Sequence, residues 1–360
     1  MDSLPRNSTL VGDAFERLRG LPSASIDCVV TSPPYYQLRD YGVDGQLGLE
    51  ATVAEWVESL RAVFNEVARV LKPAGALWLN LGDAYSRHVR YGAPPKSLLL
   101  APERLVLALT RDGWRLRNKV VWSKPNAMPH SVRDRLNTTH DFVYLMVRSP
   151  RYFFDLHAIR EPHRSRHGHR GRVPVCPPEA VGPLADPNLG LARTRPDGLP
   201  GHPLGKNPGD VWTIPTRGYK GAHFATFPPE LVRRPLLSTC PARICVICGS
   251  PWQTVAAERR IGRVVRIRRD PFVRRYPTRY EVVRDGMRLA PGCDCDGGTR
   301  PGVVLDPFFG TGTVAVVAEQ LGRDWLGIEL NPDYARLAEQ RIAAARLARV
   351  PDVPEREAAA

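Results

Sequence analysis

Two short runs in the 360-residue chain combine residue types that do chemistry. The first is Val303-Val304-Leu305-Asp306-Pro307-Phe308-Phe309-Gly310-Thr311-Gly312-Thr313. An apolar stretch enters a glycine-rich turn, where backbone without side chains lets a ligand come close, as at the carboxyl ends of strands in α/β sheets. A turn built to grip a triphosphate carries Gly-Lys-Ser/Thr, and no lysine stands here. Asp306 instead offers a carboxylate, which welcomes a cation and repels a triphosphate. Further on, Trp325-Leu326-Gly327-Ile328 ends in Glu329, a carboxylate placed to accept hydrogen bonds from both hydroxyls of a ribose. The ligand implied is a nucleoside that lacks a triphosphate and carries positive charge, and S-adenosylmethionine meets all three conditions. The plain alternative is a tight strand-to-helix turn with an ordinary surface glutamate.

The second run is Asp27-Cys28-Val29-Val30-Thr31-Ser32-Pro33-Pro34-Tyr35. Two prolines after an apolar strand freeze the backbone and free carbonyls from ladder pairing. Ser32 and the Pro33 carbonyl then become fixed acceptors for an exocyclic amino group, and Tyr35 supplies a flat face for a base. A rigid strand-ending turn with Tyr35 in the core is the alternative.

Cysteines form a third constellation. Cys245-Val246-Ile247-Cys248-Gly249 is a knuckle, and Cys293-Asp294-Cys295 follows it across residues 249–292. Four thiolates in two close pairs suit a structural, tetrahedral zinc with no open position, although the second pair is CxC rather than CxxC. Free structural cysteines are the competing reading. Between the pairs, Arg259, Arg260, Arg266, Arg268 and Arg269 alternate with apolar residues, and Arg274 and Arg275 follow. That pattern predicts a strand with a basic face for phosphates or guanine edges. His163, His167 and His169, set among arginines, read as an exposed loop facing nucleic acid rather than a metal site. Cys28 reads as buried core.

The elements that must carry these residues alternate. Ile26–Val30 is a short apolar strand. Val53, Trp56, Val57, Leu60, Val63, Phe64, Val67, Val70 and Leu71 recur at helical spacing, with Thr52 and Glu55 as a capping box. Lys72-Pro73-Ala74-Gly75 stops that helix and Ala76–Leu81 resumes as a strand. Leu98–Arg111 is a further helix, and Asn118–Trp122 and Phe142–Val147 are strands. Strand Val303–Leu305, helix Thr313–Leu321, strand Trp325–Ile328 and helix Pro332–Ala348 repeat the alternation. The fold class predicted is α/β, doubly wound, with a mostly parallel sheet covered on both faces.

Charge is unevenly distributed. The chain carries a net +14. Residues 148–290 hold 26 Lys+Arg against 11 Asp+Glu, while the remainder is nearly neutral with 25 against 26. The basic stretch also contains 19 of the 35 prolines and is interleaved with Trp212, Tyr219, Phe224, Trp252 and Tyr280. Arginine mixed with aromatics favours a nucleic-acid surface over a passive linker. An apolar fraction of 43% excludes wholesale disorder. No uncharged apolar run is long enough to span a bilayer, so no membrane partner is expected. Met1–Phe15 lacks the basic-then-apolar pattern of a signal peptide, which predicts a cytoplasmic protein.

Taken jointly and in order, the motifs resemble the amino-group DNA methyltransferases, which methylate cytosine N4 or adenine N6 with S-adenosylmethionine. With Ser-Pro-Pro-Tyr N-terminal and Asp-Pro-Phe-Phe-Gly-Thr-Gly-Thr C-terminal, the permuted order resembles their β group, over nearly all of residues 8–345. The resemblance implies a Rossmann-like sheet in circularly permuted order, with the target-recognition region between its halves. Residues 1–150 would form the catalytic half, 151–300 the recognition region, 301–350 the cofactor half and 351–360 a frayed tail. Within the recognition region, residues 223–240 would belong to the cofactor site.

By the same resemblance, Asp306, Phe308, Gly310 and Gly312 line the cofactor and Glu329 holds its ribose. Gly12-Asp13 matches the element touching adenine. His223-Phe224-Ala225-Thr226-Phe227-Pro228-Pro229-Glu230-Leu231 matches the segment over the methionine end, which assigns Thr226 and Phe227 to the cofactor. Ser32, Pro33, Pro34 and Tyr35 hold a flipped base. Lys72-Pro73-Ala74-Gly75 and Trp122-Ser123-Lys124-Pro125-Asn126 match later elements, the second lying against the base. Ser at 32 in place of Asp resembles the cytosine-N4 members, with adenine N6 and an RNA amine as alternatives. Carbon-5 chemistry is excluded, because it needs a cysteine nucleophile after proline and no cysteine here follows one. Double-stranded DNA is the implied substrate and a cognate restriction endonuclease a candidate partner.

Overall fold

A computed structural model describes residues 4–162, 202, 204–216, 227–264 and 278–347, with the side chains of 257–285 left undescribed. Its strands are β1 (Ser8–Val11), β2 (Ile26–Thr31), β3 (Leu71–Leu81), β4 (Arg115–Ser123), β5 (His140–Val147), β6 (Val211–Thr213), β7 (Ile244–Cys245), β8 (Gln253–Val264), β9 (Thr278–Ala290), β10 (Thr299–Arg300), β11 (Val303–Asp306) and β12 (Asp324–Glu329). Its α-helices are α1 (Ala14–Arg19), α2 (Val53–Val70), α3 (Ala101–Arg111), α4 (Pro229–Thr239), α5 (Thr313–Gln320) and α6 (Pro332–Leu347).

Eight strands form one sheet in the order β1-β12-β11-β2-β3-β5-β4-β6. All neighbours are parallel except where β5 runs against β3 and β4. The two C-terminal strands are thus inserted between β1 and β2, so distant segments of chain become neighbours. Along β2 and β3, alternate side chains serve opposite faces, except at the irregularity between Ile26 and Cys28. Ile26, Val29, Leu77 and Leu79 join Leu18, Trp56, Leu60, Phe64 and Leu105 from α1, α2 and α3. Cys28, Val30, Ala76 and Trp78 join Leu231, Leu236, Val314, Val317, Ala338 and Ile342 from α4, α5 and α6. Both faces are covered, which is why the central strands are apolar throughout rather than alternating. The fold is the doubly wound α/β sheet that the alternation predicts.

Local chemistry explains the boundaries. The capping box of α2 is formed: Thr52 Oγ1 accepts from the Glu55 N–H at 3.2 Å, and Glu55 Oε2 accepts from the Thr52 N–H at 3.3 Å. The break at Lys72–Gly75 takes the form of a bulge. Register passes from Ile26↔Leu71 to Cys28↔Ala76, so 72–75 loops out within β3, where Pro73 has no N–H to donate. Helix α3 begins at Ala101 rather than Leu98, because Leu100 sits in the left-handed region at φ 52. Asp83 supplies the missing cap, accepting from the N–H groups of Leu100 and Ala101 at 3.0 Å each. Cys28 is fully buried.

The chain divides into two units, the second comprising 155–208 and 252–292. In that second unit, β8 and β9 pair as an antiparallel ribbon, and Asp155 Oδ2 accepts from the Thr254 N–H at 2.8 Å. Among the described residues, no helix is long and apolar enough to cross a membrane.

Candidate cofactor and base site

The site follows from one strand pairing. Strands β2 and β11 lie side by side in parallel, with Val304 opposite Cys28 and Leu305 opposite Val29. Parallel strands end on the same edge of the sheet, so Ser32–Tyr35 and Asp306–Gly312 emerge together from sequence positions far apart. A hydrogen bond from Thr31 Oγ1 to Asp306 Oδ1 at 2.6 Å ties the two ends. Above them lies a cavity of about 580 Å³ lined by Asp13, Ser32, Pro33, Pro34, Tyr35, Phe227, Phe308, Gly310 and Glu329, together with residues described below.

At one end are the carboxylates. Asp306 is almost completely buried. Its Oδ1 accepts from Thr31 Oγ1 and from the Phe308 N–H at 3.1 Å, while Oδ2 has no partner. Burial pushes its carboxyl up to about 7, against the pull of those two hydrogen bonds, and Glu329 adds repulsion. A buried carboxylate with an idle oxygen is costly unless a cation or donor completes it, which fits a sulfonium- and ammonium-bearing ligand. Glu329 is held more fully: Oε2 accepts from the Gly310 N–H at 2.7 Å and Oε1 from the Asn331 N–H at 2.9 Å. Burial raises its carboxyl as well, and the backbone donors oppose the rise. Each oxygen keeps capacity for a further donor such as a ribose hydroxyl.

The turn between these carboxylates needs glycine. Gly310 and Gly312 have φ 52 and φ 74, the left-handed region, and a Cβ on Gly312 would lie 2.9 Å from that of Ala338. Gly312 therefore starts α5 and lets α6 pack closely; it and the buried Asp306 lie next to cavity-lining residues of the same turn rather than in the lining itself. Phe309 also lines the cavity and stacks on Trp325, with centroids 5.5 Å apart. Asp13 lines the cavity while capping α1, its Oδ1 accepting from the Glu16 N–H at 3.0 Å. Phe227 lines the cavity just before α4, whose first turn begins at Pro229 as the two prolines predict. Thr226 lies outside the described residues.

At the other end, side chains from β3, β5 and the ends of β2 and β4 form a network. Tyr35 Oη lies 3.0 Å from Asn80 Oδ1 and 3.1 Å from Asp141 Oδ2, and its one proton serves these two acceptors. Burial and the Asp141 charge hold its phenol well above its ordinary pKa, so it remains a donor. Ser32 Oγ donates to the same Asn80 Oδ1 at 3.2 Å. Asn80 is oriented by its own Nδ2 donating to the Phe142 carbonyl at 3.0 Å. Because Ser32 gives its proton to Asn80, its lone pairs are left as acceptors. Lys124 Nζ pairs with Asp141 Oδ2 at 2.5 Å and lies over the Trp122 ring. The Pro34 carbonyl is fixed by the Trp56 indole N–H at 3.0 Å. Among the described residues, no hydrogen bond reaches the Pro33 carbonyl. Gly82 makes room for the tyrosine: a Cβ there would stand 2.6 Å from its ring and 2.9 Å from Asp141 Oδ1.

Asn80 and Asp141 escaped the sequence reading. Asn80 had a signal, since it is the one polar residue in the apolar run Leu77-Trp78-Leu79-Asn80-Leu81. Asp141 had none, because its meeting with Tyr35 depends on antiparallel pairing of β3 with β5.

The cysteine pairs come together: the sulfurs of Cys245, Cys248, Cys293 and Cys295 all lie within 4.8 Å of one another. Of the basic residues, Arg259 and Arg260 fall on β8, opposite Val283 and Val282. Arg266, Arg268, Arg269, Arg274, Arg275, the histidines at 163, 167 and 169, and the tail 351–360 lie outside the described residues.

A doubly wound sheet with a cation-seeking, ribose-ready pocket opening onto a base-sized network defines the class of S-adenosylmethionine-dependent methyltransferases. The DNA methylase family model for N6 and N4 enzymes matches residues 26–247 and 299–340, and the chain belongs to that family. It is a DNA methyltransferase that uses S-adenosylmethionine. The chain is 36% identical to the Type II methyltransferase M.XycI of Xanthomonas campestris pv. cyanopsidis, over 94% of this chain and 88% of that protein. In fold it is similar to the PvuII DNA methyltransferase (cytosine-N4-specific), at TM-score 0.54 and 17% identity, covering 96% and 93% of the two chains. It is likewise similar to a putative DNA modification methylase from Thermus thermophilus complexed with S-adenosyl-L-methionine, at TM-score 0.50 and 22% identity over 95% of each.

Proposed function

We propose that this chain methylates the N4 amino group of cytosine in duplex DNA, acting on a base flipped out of the helix. The observation that carries this reading is the parallel pairing of β2 with β11, which joins Ser32–Tyr35 and the carboxylate turn around one cavity. S-adenosylmethionine, when bound, supplies an electrophilic methyl group. Asp306 would hold its positive end, Glu329 its ribose and Asp13 its adenine side, with Phe308, Gly310 and Phe227 as walls and Thr226 completing the segment.

The rest belongs to the chain's own residues. An aromatic amine has its lone pair spread into the ring, so it is a poor nucleophile until its N–H bonds are oriented. Ser32 Oγ and the unengaged Pro33 carbonyl would accept those two N–H bonds and turn the lone pair toward the methyl. Pro34 fixes the turn, and Tyr35, locked through Asn80 and Asp141, presents its ring to the base. None of these groups is a strong base, so the contribution is positioning and electrostatics. Ser at position 32 in place of Asp, which resembles the cytosine-N4 members of the family, supports cytosine over adenine.

The +15 balance of residues 148–290 supports the assignment of target recognition to the insert, with Arg259, Arg260, Arg266, Arg268, Arg269, Arg274 and Arg275 on DNA. The similarity to a Type II methyltransferase supports a restriction-modification setting in the cytoplasm, with a cognate endonuclease as partner. The test is transfer of labelled methyl to a panel of duplexes, with RNA and protein alongside. Transfer confined to duplex DNA of particular sequences is expected; transfer to RNA or protein with none to DNA would overturn the proposal.

A further inference from the structure

The geometry points to a structural zinc ion held by Cys245, Cys248, Cys293 and Cys295. Each residue offers one sulfur, and the four lie within 4.8 Å of one another, gathered about a single centre. In a tetrahedral Zn–S₄ site with bonds near 2.3 Å the sulfurs are separated by about 3.8 Å, so only a small contraction is needed. Two separate disulfides would bring sulfurs together in pairs and would not require all four to share one centre.

The backbone is arranged for the same end. The Gly249 N–H donates to the Cys245 carbonyl at 3.0 Å, closing the Cys245–Cys248 turn into a knuckle. Cys245 pairs with Thr299 in the two-residue strands β7 and β10, and the Val246 N–H donates to the Gly298 carbonyl at 3.0 Å. The second cysteine pair is thereby brought beside the first. Beyond the buried Ile244 and Cys245 of β7, little apolar packing holds this small substructure. Its strands are two residues each, and the middle residues of the knuckle, Val246 and Ile247, are exposed at 56% and 64%. So little apolar burial is insufficient to fix a turn, which is the circumstance in which small substructures depend on a metal. Four thiolates leave no coordination position open, so the ion is structural and takes no part in methyl transfer. Its effect is to clamp together the chain before residue 249 and after residue 292, closing the excursion between them. The inference is independent of which base the enzyme modifies.

The test is metal analysis of the full-length protein, purified under reducing conditions without chelator, together with zinc-edge X-ray absorption. About one zinc per chain and four sulfur ligands at roughly 2.3 Å are expected. The double variant Cys248→Ser/Cys295→Ser, changed at the two exposed ligands, should lose the zinc while keeping its affinity for S-adenosylmethionine within about twofold. Absence of zinc from reduced wild-type protein, a shell with fewer than four sulfurs, or zinc retained by the double variant would each overturn the assignment. Should the variant fail to fold, the absorption spectrum of the wild-type protein decides alone.

Discussion

The two ends of the cavity are built on different principles. At the cofactor end, charge is positioned mostly by backbone: Glu329 is gripped by the N–H groups of Gly310 and Asn331, and Asp306 by that of Phe308 together with the Thr31 hydroxyl. At the base end, side chains position one another: Ser32, Tyr35, Asn80, Asp141 and Lys124 form a chain of hydrogen bonds drawn from β3, β5 and the ends of β2 and β4. Backbone gripping depends on local turn geometry and tolerates change elsewhere. A side-chain network depends on every member, so substitutions there should act on turnover rather than on cofactor affinity.

That contrast sets an order of expected effects. Tyr35→Ala should lower kcat by about 100-fold or more through lost positioning of the base, with S-adenosylmethionine affinity nearly unchanged. Single-turnover kinetics beside calorimetric titration separates the two; an equal loss of both would erase the division between the ends. Asp306→Asn should do the reverse, weakening the cofactor by roughly 10- to 150-fold, the value of a charge-assisted hydrogen bond of about 1.5–3 kcal/mol.

The same carboxylate predicts a pH dependence. Its pKa is raised by burial to about 7, so below that pH Asp306 is a neutral acid that must lose its proton to complement a cation bound beside it. Cofactor affinity should therefore rise as pH increases through about 7 and then level off, approaching a tenfold change per unit on the acid side. In Asp306→Asn the profile should be flat across that range, and a persisting slope would assign the titration to another group.

Smaller effects sharpen the comparison. Gly82→Ala places a methyl 2.6 Å from the Tyr35 ring, so the ring must shift. Turnover should fall about 10-fold and stability by roughly 1–3 kcal/mol, read by kinetics and thermal unfolding. Thr52→Ala removes the α2 cap, remote from the cavity, and should cost about 1 kcal/mol of stability with kinetics unaltered. A kinetic effect there would mean that α2 positions Pro34 through Trp56 more delicately than a single 3.0 Å bond implies.

Legibility in the sequence divided along the same line. The Gly310–Gly312 turn, Asp306 and Glu329 are contiguous with the strands that present them, and the alternation of apolar strands with helical periods was enough to anticipate the sheet. The helix from Val53 was readable because its cap and its apolar spacing agree. What local pattern could not supply was tertiary. The start of α3 depends on Asp83, a residue outside the helix, and the stop at Lys72–Gly75 became a bulge because β2 pairs on both sides of it. Asn80 and Asp141 meet Tyr35 only after β2, β3 and β5 align. The strands β1 and β6 are three or four residues long and find their place through parallel partners distant in sequence.

The most direct measurement is nucleoside mass spectrometry of DNA from cells expressing the chain, against the same cells carrying Tyr35→Ala. The account predicts N4-methylcytosine in the first sample and its near absence in the second. N6-methyladenine in its place would contradict the assignment to cytosine drawn from Ser32 in place of Asp. Equal methylation in both samples would contradict the joined base and cofactor cavity on which the account rests.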